Sequence, residues 1–191
     1  MSLNADLTRP LLLVDIDGVV SLFGFPPHAP SDLRSVAGSF HSIDGIPHFL
    51  SSTAAAHLLA LGKFYELVWC SGWEERANEY LPALLGLPAE LPFLRFAPAV
   101  RATSGVGGSG AERSTRGHWK LDAIDAYAGA RALAWIDDCL DDACHTWAAA
   151  RGAPTLLVRT DAAVGITATH VAELTRWARD LGRRDSSPGS A

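Results

Sequence analysis

The stretch Leu11-Leu12-Leu13-Val14-Asp15-Ile16-Asp17-Gly18 constrains this chain more than any other. Four consecutive apolar residues describe a short strand with both faces buried, as in a parallel sheet covered by helices on either side. The strand runs straight into two carboxylates spaced two apart. Where a strand is ending, both can converge on one spot just beyond its carboxyl end. Open α/β sheets place their ligand sites there. Gly18 lets the backbone turn, or approach a ligand where a Cβ would be in the way.

The rest of the chain supplies what such a strand needs. Its 191 residues suffice for one domain with a real core. The reading is a single domain over 1–182, with a flap inserted at 21–50, a flexible loop at 98–117 and a disordered tail at 183–191. Further strands are expected at Glu66–Cys70, at Pro92–Ala97 along an edge, at Leu133–Ile136 and at Thr155–Val158. Helices are expected at Ser51–Leu61, capped by Ser51 or Ser52 and by Gly62, and at Trp73–Leu81, with Pro82 breaking or kinking the latter. Three more follow at His118–Ala130, Asp141–Arg151 and His170–Leu181. Alternating strands and helices mean an α/β fold with a central parallel sheet of about five strands and right-handed crossovers. The stretch 21–47 is too long for a plain connection and carries Phe23, Phe25, His28, Phe40 and His41. It reads equally as a small packed hairpin or as a lid over Asp15 and Asp17.

Composition removes several classes. Sixteen basic against 21 acidic residues give −5, which does not point to a general nucleic-acid or membrane-surface binder. Cys70, Cys139 and Cys144 are odd in number and lack CxxC spacing, so neither a disulfide framework nor a zinc site is expected. Met1 to Pro10 lacks the apolar core of a secretory signal, and no run nears the roughly 20 apolar residues of a membrane span. The expectation is a soluble cytoplasmic protein without a membrane partner. Gly105, Gly107 and Gly110 fit a dinucleotide-type GxGxxG, but no strand precedes them and no helix follows. An EF-hand reading of Asp15 and Asp17 fails for want of the sixth-position glycine and the twelfth-position glutamate.

Polar residues collect at element ends. Asp15 and Asp17 follow the first strand, Ser71 and Gly72 the second, and Asp137 with Asp138 a later one; Lys120 opens a helix and is one of only two lysines. Phosphoryl transfer through an aspartate nucleophile needs such a set. Clustered carboxylates repel and take up protons unless a cation neutralises them, and hard oxygen ligands suit Mg²⁺. Ser71 and Lys120 would offer a donor and a positive charge to phosphate oxygens, and a second carboxylate near the nucleophile can protonate a leaving alcohol. Each residue also has a plainer role. Ser71 could cap a helix, Lys120 could be a solvated helix lysine, and Asp137-Asp138 could be a strand-end turn. Trp69 and Trp135 read as core.

In order along the chain, Asp15-Ile16-Asp17-Gly18-Val19, Val68-Trp69-Cys70-Ser71-Gly72, Lys120 and Ile136-Asp137-Asp138 resemble the four motifs of the haloacid dehalogenase (HAD)-like hydrolase superfamily. The resemblance covers Leu11 to Leu181. It implies a Rossmannoid three-layer sandwich with a minimal cap. It also implies Asp15 as nucleophile, Asp17 as general acid/base, and Ser71, Gly72 and Lys120 as phosphate-binding. Mg²⁺ would be held by Asp15, the backbone carbonyl of Asp17, and Asp137 or Asp138, with Asp141 and Asp142 as alternative ligands. Dehalogenases of the superfamily lack the second aspartate, so Asp17 points to a phosphatase acting through an aspartyl-phosphate on Asp15. The run from Trp69 to Asn78 is similar to small capless actinobacterial HAD proteins, some of whose relatives are grouped with RNA-repair domains. Alternatives are a nucleic-acid end phosphatase using arginines such as Arg76, Arg95, Arg101, Arg113 and Arg116, or a module that binds phosphate or a partner without turnover.

Overall fold

In the computed structural model, residues 9–24, 36–96 and 118–185 are described. Four strands form a parallel sheet in the order β5-β1-β6-β7: β1 (Leu11–Val14), β5 (Glu66–Trp69), β6 (Leu133–Asp137) and β7 (Thr155–Arg159). The apolar strand is central, pairing β5 on one side from Leu11↔Glu66 and β6 on the other from Leu11↔Leu133. All four of its residues are fully buried.

Alternation along β1 builds the layers. Leu12 and Val14 face a core completed by α1 (Ser52–Leu61), α2 (Arg76–Leu85) and α5 (Ala168–Asp185) through Leu58, Leu81 and Leu174. Leu11 and Leu13 face the opposite core, closed by α3 (Leu121–Ala128) and α4 (Asp142–Ala150) through Ile124, Cys144 and Trp147. This is a three-layer sandwich with the strand ends of β1, β5 and β6 on one rim.

Of the 21–50 insertion, residues 25–35 lie outside the described residues; the rest contributes a second, antiparallel sheet in the order β2-β4-β3, from β2 (Ser21–Leu22), β3 (Gly38–Ile43) and β4 (Ile46–Ser51). Asp44 and Gly45 join β3 to β4 at φ 52° and 79°, the positive angles that a two-residue hairpin turn requires. The hairpin is clamped to α2, where Arg76 pairs with Asp44 and the Tyr80 hydroxyl donates to Asp44 Oδ1 at 3.0 Å. Ser51, the last residue of β4, also caps α1 by accepting from the Ala54 N–H at 3.0 Å.

Several expected boundaries move. The fifth strand shrinks to a single bridge at Phe93 beside Trp69. Farther on, Glu74 Oε1 takes the Phe96 N–H at 2.8 Å, so that amide is lost to a ladder. The second helix starts at Arg76 and not at Trp73, because Glu74 is left-handed at φ 47°. It then runs through Pro82 to Leu85. Proline removes only its own N–H bond, and Gly86, at φ 67°, closes the last turn by donating to the Pro82 carbonyl. The closing helix continues past Gly182 to Asp185, where a tail was expected. The 98–117 loop and residues 186–191 lie outside the described residues, as do Arg101, Arg113 and Arg116.

Candidate active site

The chain turns sharply after β1. Val20 and Ser21 both donate to the Ile16 carbonyl at 2.8 Å, and Gly18 at φ 73° makes the corner. A Cβ on Gly18 would sit 2.4 Å from Asp138 Cγ, so glycine is required here by conformation and by space. The same corner is buttressed by Thr160, whose hydroxyl donates to the Gly18 carbonyl at 2.9 Å.

Every candidate residue lines one cavity of about 400 Å³ on this rim: Asp15, Asp17, Ser71, Gly72, Lys120, Asp137 and Asp138. Lys120 is buried and lies 2.8 Å from Asp15 Oδ2 and 2.7 Å from Asp137 Oδ2. Burial alone would lower its pKa, but the charges of Asp15 and Asp137 outweigh burial and hold it above the ordinary lysine value. It is therefore a permanent cation and not a solvated helix lysine. Asp137, fully buried, also accepts from the Trp135 indole at 3.1 Å and from the Cys139 N–H at 2.9 Å.

Asp15, Asp137 and Asp138 bring one carboxylate oxygen each within 4.8 Å of one another. Burial pushes Asp15 up to about 7, with Lys120 opposing and Asp137 adding to the rise. Burial and then Asp137 also raise Asp138. Among the described residues three carboxylates face one ammonium, and this donor set fits a hard divalent cation. Asp17 stands outside the trio, since its Oδ2 accepts from the Trp73 indole N–H at 3.0 Å. Asp141 and Asp142 stand away as well: Asp141 caps α4 by accepting from the Cys144 N–H at 2.9 Å, and Asp142 lies in that helix's first turn.

Ser71 does not cap α2, whose cap position is Glu75 without a side-chain bond. Ser71 is buried, lines the cavity, and its hydroxyl has no hydrogen-bond partner among the described residues. A hydroxyl that opens to the cavity and has no partner among the described residues is available to a ligand. The arginines offered for nucleic acid fare worse. Arg76 pairs with Asp44, and Arg95 lies 3.6 Å from Glu75 and over the Phe93 ring.

The sequence reading missed the aromatic walls. Trp73 and Trp119 flank Gly72; Trp119 meets Phe96 edge-on at 4.6 Å, and Lys120 Nζ sits 5.2 Å from its ring centre. Their one signal is adjacency, Trp73 to Ser71-Gly72 and Trp119 to Lys120. Trp135 is core, as expected, yet it also holds Asp137. A larger cavity of about 890 Å³ lies at the amino ends of β6 and β7. Its polar residues already serve the fold: Trp147 donates to Asp125, and Arg151 donates to the Gly129 and Arg131 carbonyls.

With this geometry in view, comparison with known proteins is decisive at the level of family. Residues 11–171 match the model of the HAD domain in Swiss Army Knife RNA repair proteins. The chain belongs to this family. The match spans every element from β1 to the start of α5 and all four site motifs, so the chain is a HAD-like hydrolase domain. No curated protein matches it. Among solved structures, a hypothetical protein from Xanthomonas campestris aligns over 98% of this HAD domain and 97% of its own chain. The identity is 14% and the TM-score 0.43, a likeness too distant to bear on function. No helix among the described residues is long and apolar enough to cross a membrane.

Proposed function

We propose that this HAD domain is a phosphatase that works through an aspartyl-phosphate on Asp15, with Asp17 as general acid/base and Mg²⁺ as cofactor. The observation that carries the reading is the pairing of Lys120 with both Asp15 and Asp137 inside a carboxylate cluster that one lysine cannot neutralise. Asp15, Asp137 and Asp138, with the Asp17 carbonyl, would hold the cation, which supplies charge neutralisation for carboxylate and phosphate.

The chain's own groups account for the steps. A carboxylate oxygen of Asp15 attacks phosphorus as the bond to the leaving oxygen breaks, and Asp17 gives that oxygen its proton. Asp17, now ionised, takes a proton from water. The resulting hydroxide attacks phosphorus, the bond to Asp15 breaks, and free phosphate leaves with both aspartates restored. Lys120, the Ser71 hydroxyl and the Gly72 N–H would bind the non-bridging oxygens, whose charge shifts during transfer.

Phosphate release from a generic aryl phosphate, with Mg²⁺ or with EDTA, tests this. Turnover should need the cation, and Asp15→Asn should reduce it to background while leaving the fold intact by circular dichroism. Full activity in that variant overturns the reading.

A nucleic-acid end as substrate is the second reading, favoured by the family's description as part of RNA repair proteins. Oligonucleotides with 3′- or 5′-terminal phosphate would then be cleaved in preference to small esters. Binding of such oligonucleotides should weaken steeply with added salt, and salt-independence would count against this reading. A cytoplasmic, soluble setting suits such a substrate.

A further inference from the structure

Trp73 does more than wall the cavity. Its indole N–H donates to Asp17 Oδ2 at 3.0 Å, while Asp17 Oδ1 has no hydrogen-bond partner among the described residues. An indole N–H can donate but never accept. Oδ2 is therefore kept as an acceptor, and because the carbonyl oxygen of a carboxylic acid accepts better than its hydroxyl oxygen, the indole favours the protonated form that carries its proton on Oδ1. One side chain thus biases which oxygen of the acid carries the proton and how the carboxyl plane is turned.

Trp73 is itself held from behind. His48, on β4, meets its ring edge-on at 4.9 Å and 74°. The His48 ring is fixed by a 2.9 Å hydrogen bond between Nδ1 and Ser21 Oγ, and Ser21 is the bridge partner of Asp17. At the hairpin tip, Asp44 is gripped by Arg76 and Tyr80 of α2, the helix that follows Trp73. The contacts make a closed circuit from Asp17 through Trp73, His48 and Ser21 back to Asp17.

We propose that Trp73 is a positioning residue that presents Asp17 Oδ1–H to the leaving oxygen, and that the β3–β4 hairpin is the wall that seats Trp73 for this task. The proposal rests on the reading of Asp17 as general acid. It assigns the insertion a part in leaving-group protonation that does not require it to open or close.

Leaving groups discriminate this role from a structural one. A 2,4-dinitrophenolate departs without a proton, whereas an alkoxide needs one. The test compares kcat/KM, which reports only the steps up to departure of the leaving group, for 2,4-dinitrophenyl phosphate and 2-phenylethyl phosphate. Trp73→Phe keeps an aromatic ring against His48 and removes the N–H. It should fall roughly tenfold or more on the alkyl ester and by less than about threefold on the dinitrophenyl ester. Asp17→Asn should show the same selectivity, larger, and adding Trp73→Phe to it should change the ratio no further. His48→Ala, which leaves the indole in place but unsupported, should move the ratio in the same direction by less. Equal losses on both esters, or none on either, overturn the proposal; so does an additive effect in the Asp17→Asn background. If Asp17→Asn itself shows no selectivity between the esters, the reading of Asp17 fails and not merely that of Trp73. If Asp17→Asn discriminates and Trp73→Phe and His48→Ala do not, only the positioning role falls.

Discussion

At the residue scale the site turns on unlike charges packed in direct contact. Among the described residues, Lys120 is the only cation in direct contact with the buried Asp15 and Asp137. Lys120→Met keeps the bulk and strands both carboxylates, and removal of one partner from a buried ion pair costs about 3–5 kcal/mol. The melting point of that variant should drop sharply in EDTA and recover in part with millimolar Mg²⁺; equal losses in both buffers would separate the lysine from the cation. Gly18→Ala meets two obstacles, a left-handed φ and the Asp138 carboxylate 2.4 Å away. It should cost at least about 1 kcal/mol in denaturant unfolding and weaken Mg²⁺ binding by displacing Asp138. Asp15, Asp17, Ser71, Lys120 and Asp137 were legible because each follows a strand or opens a helix. Trp73 was not, because an indole's hydrogen bond across 56 residues leaves no periodic trace.

At the scale of elements, boundaries followed tertiary contacts more than propensity. Glu74 illustrates this. Its side chain is buried, its backbone is left-handed, and its carboxylate holds the Phe96 amide. That one residue delays α2, ends the strand expected at 92–97, and brings Phe96 against Trp119. From sequence it reads as an acidic first-turn residue suited to a helix dipole. Pro82 does not break α2, since its backbone cost is local while Leu81 beside it is fully buried in the core. The long insertion read equally as a hairpin or a lid, and its three-stranded sheet was not legible, because the register depends on pairing Ser21–Leu22 with Phe49–Leu50 across intervening chain. In α5, Leu174 is buried and its carbonyl accepts from the Tyr65 hydroxyl at 2.7 Å. Leu174→Ala should therefore cost about 2–5 kcal/mol in urea unfolding with the aryl phosphatase kcat retained at low temperature.

At the scale of the whole molecule, the carboxylate cluster ties folding to pH and, on the proposal that it holds Mg²⁺, to the cation. The folded protein without cation holds a proton on Asp15 up to about 7, whereas the unfolded chain releases it in the ordinary carboxylate range. The folded state thus binds more protons over that interval, so cation-free stability should fall as pH rises from about 4 to 7 and level off above. Mg²⁺ must displace that proton, so its stabilising effect should be larger at pH 7.5 than at pH 5.5. Calorimetric melting with and without Mg²⁺ at both values checks this, and a cation effect independent of pH would refute it. The overall α/β sandwich was legible because β1 alone demands cover on both faces and neighbours on both edges. One junction has a wider consequence. Ser51 closes β4 and caps α1 in the same residue, so no hinge separates hairpin from helix. The two form a single lever whose short arm carries His48 beside Trp73 and whose long arm packs against α5. Torque applied to α1 from outside, by an engineered binder or a fused module, would be passed to the rim of the cavity, which makes the far side of this small domain a handle on whatever the cavity holds.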